Sequence, residues 1–171
     1  FIMVTYLMLY LRDTLGIPEL RGAALLTLAQ LIGALSRVSL AALSDRLPIG
    51  RKPMLLAVVA MTGVSALSIA QLSPQTPTVL VTMIVMIYAA SALGWQGRYF
   101  TLLTELSDSG WEGRVLGMAT TFTSLGIMSG PPLFGLLVDA SSRYRPAWYA
   151  LAAVVATGFA MLLTVQEQPT R

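Results

Sequence analysis

Runs of about twenty apolar residues recur along this 171-residue chain, and a helix of that length, at about 1.5 Å per residue, crosses the roughly 30 Å hydrocarbon core of a bilayer. The runs cover about 23–43, 54–72, 78–103, 115–138 and 147–165. A shorter one over 1–11 would reach only about 16 Å as a helix, so it reads as the outer end of a longer span. The start at Phe1, without Met and without the basic flank or cleavage site of a signal peptide, reads as a cut end. Short clusters of Gly, Pro, Ser and charge separate the runs and leave no room for a soluble domain. Hydrophobic residues make up 56% of the chain and charged residues 11%, against about a quarter charged in soluble domains. The expected fold class is therefore all-α, a polytopic transmembrane helix bundle over 1–171 with the lipid bilayer as its solvent.

Composition also excludes classes of function. The chain has no Cys and no His, which removes thiol nucleophiles, disulfides, His metal sites and His proton relays. The 8 carboxylates lie singly in loops, not paired on one face as acid–base chemistry requires. No enzyme, metal or cofactor is expected, and no G-x-x-x-x-G-K-[ST] loop supports direct ATP drive. The net charge of +3 is scattered through loops, which argues against nucleic acid as a partner.

The turn at 44–53, between the second and third spans, carries Asp45, Arg46, Gly50, Arg51 and Lys52. Compact basic charge between two membrane-length runs is the pattern of a cytoplasmic hairpin. Trp148 and Tyr149 then lie at the outer interface, and the carboxy terminus is cytoplasmic. Within the spans, Gln30, Gly33, Ala34, Arg37 and Ala41 recur at spacings of three and four, as do Tyr88, Ser91, Trp95 and Arg98. Each set occupies one helix face. The third and sixth spans have no charge inside, so the second and fourth are expected to line a cavity and the others to face lipid.

Leu43, Asp45, Arg46, Gly50, Arg51 and Lys52 resemble the loop signature G-x-L-x-D-R-x-G-R-[RK] of the major facilitator superfamily. Ala41 replaces its leading Gly, and Pro48-Ile49 adds two residues, which fits the weaker copy between that family's eighth and ninth helices. Gly126-x-x-x-Gly130-Pro131-Pro132-x-x-Gly135 is similar to its Gly-Pro-rich eleventh helix, and Gly94-Trp95-x-Gly97 to its tenth. One offset pairs Arg21 with Arg114, Gly33 with Gly126, Ser36 with Ser129 and Leu40 with Leu133, as related three-helix units require.

The resemblance implies the carboxy-terminal six-helix half of a twelve-helix secondary transporter in a bacterial inner membrane, partnered by a missing amino-terminal half. It would move a small solute by alternating access, with H+ or Na+ as a possible coupling ion. Candidate substrate contacts are Gln30, Arg37, Tyr88, Trp95 and Arg98. An intramembrane Arg can hold a carboxylate by two hydrogen bonds, or can snorkel to the helix end or pair with Asp45 or Glu105. Trp95 serves stacking or packing. Two arginines without a buried acid motivate an organic anion as solute. Candidate gating positions are Asp45, Arg46, Gly50, Arg51, Lys52, Gly126, Gly130 and Pro131, with close packing and a kink at Pro131-Pro132 as the first role of the Gly-Pro segment. The alternatives are a non-transporting membrane interaction module, a truncated transporter fragment, or a half that pairs with itself.

Overall fold

The computed structural model describes residues 2–46 and 51–165, and side chains within 2–39 and 52–165. Among the described residues the chain is helical without strands: α1 (Ile2–Asp13), α2 (Glu19–Arg46), α3 (Arg51–Ala70), α4 (Thr78–Gly94), α5 (Gln96–Leu106), α6 (Glu112–Ser141) and α7 (Tyr144–Thr164). Five stretches are long and apolar enough to cross a membrane: Glu19–Ser39, Lys52–Ala70, Thr78–Leu106, Glu112–Ser141 and Tyr144–Thr164.

Helix α2 outruns the apolar run read from sequence. Its first residue follows Pro18, whose carbonyl accepts from Gly22 N at 2.9 Å, and Glu19 in the first turn suits the positive end of the helix dipole. The fourth run is not one uninterrupted helix. It divides at Trp95, which keeps right-handed dihedrals (φ −73°, ψ −28°) and still accepts from Tyr99 N at 3.1 Å, where Gly94 and Gly97 lower helix propensity on both sides. Helix α6, by contrast, runs unbroken through Pro131 and Pro132. The prolines remove the donors that the carbonyls of Ile127 and Met128 would receive without ending the helix. The turn into α7 is tight and closes through a left-handed Ser142 (φ 52°).

The antiparallel pair α3/α7 has the most extensive contact, and it is fastened at both ends by the same device. Each helix opens with a cation followed by proline, Lys52-Pro53 and Arg145-Pro146. Proline is tolerated in a first turn, where no intrahelical acceptor is needed. Lys52 Nζ donates to Leu163 O at 3.0 Å and also to Val165 O, and Arg145 Nε donates to Ala70 O at 2.9 Å. Each cation thus reaches the orphan carbonyls at the negative end of the other helix.

Trp148 of α7 is fully buried at the centre of an aromatic cluster. Its ring meets Tyr10 of α1 at 5.8 Å, Tyr88 of α4 at 5.7 Å and Phe134 of α6 at 5.4 Å, all edge to face. That is the favoured geometry of aromatic quadrupoles. Ala29, Ala66, Ala89 and Ala147 are each 0% exposed, the small residues that allow helices to approach in a membrane. Tyr10 Oη donates to Ile69 O at 2.5 Å, tying α1 to the end of α3.

At the same end, beyond the apolar run of α1, Asp13 accepts from Arg12 Nε at 2.7 Å and from Tyr144 Oη at 2.8 Å. These bonds, Arg12's first and Tyr144's second, hold its carboxyl below the ordinary 3.8. A depressed folded pKa contributes stability above the unfolded value, and that stability is lost as pH falls through the folded one. Tyr144→Phe is expected to raise the Asp13 pKa back toward its ordinary value, so that the acid-side loss begins at higher pH. Isotope-edited infrared titration of the carboxylates reads this directly, and an unmoved Asp13 titration would contradict the assignment.

Candidate functional site

The break in the fourth span is where α2 meets α4 most closely. Gly33 packs against Leu93, and a Cβ built on Gly33 would lie 2.9 Å from Leu93 Cβ and 3.1 Å from its Cγ. One turn further along α2, Ser36 Oγ donates to Ala90 O at 2.8 Å. Arg37 Nε donates to Leu93 O at 3.0 Å. Leu93 lies in the last turn of α4, where carbonyls lack donors from their own helix, and a guanidinium there also meets the negative end of the dipole. Arg37 is otherwise exposed, so the donors not used by Leu93 can present their fork to a carboxylate.

The structure disperses the remaining substrate candidates. Gln30 is exposed on α2, two turns before Arg37. Trp95 is half-buried at the break, with its ring 5.3 Å from Tyr99. Tyr88 is only 4% exposed and stacks on Trp148 inside the aromatic cluster. Ser91 and Arg98 are 2% and 4% exposed. Tyr88, Ser91 and Arg98 are therefore enclosed in this bundle, Tyr88 by Trp148 of α7, a neighbour that spacing along one helix does not reveal. Gln30, Arg37 and Trp95 are the candidates left outside the buried core.

Among the gating positions, Gly50 lies outside the described residues, as do the side chains of Asp45, Arg46 and Arg51. Lys52 holds the end of α7, as above. Gly130 packs on Ile2 of α1, 3.6 Å from a built Cβ to Ile2 Cδ1, whereas Gly126 has nothing within 4 Å. Pro131 is half-buried on α6. Gly135 is buried against the hydroxyl of Tyr6. Two of the three glycines thus seat α6 on α1. Ser36 and the carbonyls of Ala90 and Leu93 went unread in the sequence. The Gly94 and Gly97 pair was the signal for them, since a helix that breaks there exposes acceptors just before it.

The whole chain, residues 1–171, matches the family description Major Facilitator Superfamily. It is 30% identical over 167 residues to a protein named monocarboxylate transporter 13 from Bos taurus, an alignment covering 96% of this chain and 38% of that one. It is also 30% identical over 166 residues to a Mycobacterium tuberculosis protein named as an uncharacterized MFS-type transporter, covering 97% and 36% respectively. The chain thus spans little more than a third of the length of these curated relatives.

Proposed function

The chain belongs to the major facilitator superfamily, and on that premise we propose that it forms the carboxy-terminal six-helix half of a multi-pass secondary transporter. A second half, facing α2 and the break between α4 and α5, would complete a solute site near the bilayer midplane, where repeats of this kind meet. The hairpin at 44–53 and the end of α7 lie on the cytoplasmic side in this reading, following the compact basic charge. H+ or Na+ would be the coupling ion.

The solute we propose is a small organic anion. One observation carries this: Arg37 stands exposed at the broken span with its Nε on Leu93 O and no ion pair among the described residues. An exposed guanidinium at membrane depth is expensive unless it faces a wet cavity or a counter-charge. The printed name of the bovine relative, a monocarboxylate transporter, supports the same chemistry. Arg98, enclosed near the same end, would hold the surrounding elements in place or reach the anion as they open.

The test is uptake of a labelled short-chain monocarboxylate by the full-length protein in proteoliposomes. Arg37→Gln is expected to lower uptake at least tenfold, the loss of one bidentate charge-assisted contact of about 1.5–3 kcal/mol, and Arg98→Gln to lower it as well. Unchanged uptake with both replaced would overturn the anion. No uptake by the parent protein of any organic anion tried would favour the non-transporting module instead.

A further inference from the structure

The outer side of the α3/α7 pair carries an apolar groove of about 220 Å³, with Gly63, Leu67, Ala152, Ala156 and Phe159 in its walls. A cation lies beyond one end of this groove, about two helical turns along α7 from Ala152. Arg145 donates Nε to Ala70 O, and Ala70 lies about one helical turn beyond Leu67. Along α7, Arg145, Tyr149, Ala152 and Ala156 follow at intervals of four, three and four, so the cation and the groove share one face.

Arg145 is exposed, and no carboxylate among the described residues forms an ion pair with it. Both helices are apolar and long enough to cross the membrane. The 21 residues of α7 extend about 32 Å, which sets its second residue at headgroup depth when the helix spans the roughly 30 Å core. Tyr149, 42% exposed, occupies the level where amphipathic rings sit.

From this placement we infer that the α3/α7 groove is a phospholipid site. One acyl chain lies along the hollow left by Gly63, Ala152 and Ala156, and the donors of Arg145 not used by Ala70 hold the headgroup phosphate. A planar guanidinium matches phosphate oxygens two at a time, and attraction to an anionic headgroup adds to it. The groove is too small to seat a partner helix, whose diameter with side chains is about 10 Å. Because Arg145 also caps α3, the lipid would bear on the contact that fastens the two helices at this end.

Native mass spectrometry of the detergent-purified full-length protein, titrated with phosphatidylglycerol, tests the site. One strongly retained lipid is expected, with Arg145→Gln weakening retention fivefold or more. Ala156→Phe fills the groove while leaving the Arg145 cap untouched, and is expected to weaken retention to a similar degree at an unchanged melting temperature. Arg143→Gln removes an equal charge two residues away and is expected to change retention less than twofold. Equal loss in Arg143→Gln and Arg145→Gln would reduce the effect to surface charge and overturn the site. Parent-like retention in Ala156→Phe would overturn the groove, and displacement of the lipid by equimolar glycerophosphoglycerol would show that the acyl chain is not held.

Discussion

Truncation of Trp148 to alanine is expected to destabilise the bundle by about 3 kcal/mol, near the low end of the range for deleting a buried aromatic side chain. The low end applies because lipid, not water, surrounds the separated helices, so the transfer part of the cost shrinks and the cavity part remains. The cavity would be central, since the ring touches Tyr10, Tyr88 and Phe134 and so joins α1, α4 and α6 to α7. Trp148→Phe separates packing from polarity. The indole Nε1 is buried with no acceptor among the described residues, and a buried donor without a partner costs about 1–3 kcal/mol. Removing it offsets much of the lost ring volume, so Trp148→Phe is expected to fall within about 1 kcal/mol of the parent. Reversible unfolding in mixed micelles gives both numbers. Equal damage from phenylalanine and alanine would mean that the indole N–H has an acceptor and that the cluster is held by that bond.

Gly33→Val is expected to be comparably damaging. The added Cβ is fixed to the α2 backbone and cannot swing away from Leu93 Cβ at 2.9 Å, so the helices must separate. Overpacking of this kind costs about 1–3 kcal/mol, and here the upper value is expected because separation also draws Ser36 from Ala90 O and Arg37 from Leu93 O. Leu93→Ala in the same chain removes the contacts of the Leu93 side chain beyond its Cβ, which stays, and should recover part of the loss, a coupling that a double-mutant cycle measures. Absence of recovery would place the damage elsewhere than the α2/α4 contact. Gly126→Ala serves as the contrast, since its Cβ meets nothing within 4 Å, and a change below about 0.5 kcal/mol is expected.

The candidate site was legible in the sequence only in part. Arg37 stood out because charge inside an apolar run is rare, and its place at the end of α4 follows from the Gly94 and Gly97 pair once a break is granted. Tyr88 shows where such reading stops. Its spacing puts it on one face with Ser91, Trp95 and Arg98, but Tyr88 itself packs on Trp148, which lies sixty positions further along the chain. Pro131 and Pro132, where a kink is expected, lie inside one continuous helix, α6. The cation–carbonyl fastening of α3 to α7 was equally hidden, because Lys52 and Arg145 find their acceptors on helices remote in sequence.

That the chain is a helical membrane protein, how many long apolar runs it has and which residues share a helix face can all be read from the order of its residues. Those properties follow from local quantities, the length of an apolar run against bilayer thickness and the 3.6-residue period. Which faces are covered depends on how the helices pack. That packing buried Tyr88 and Arg98, left Arg37 exposed at a broken helix, and set Arg145 on the last carbonyl of α3. In a bilayer the apolar faces of all the spans are equally content in lipid, so packing between distant helices, not hydrophobicity along one of them, selects which faces meet.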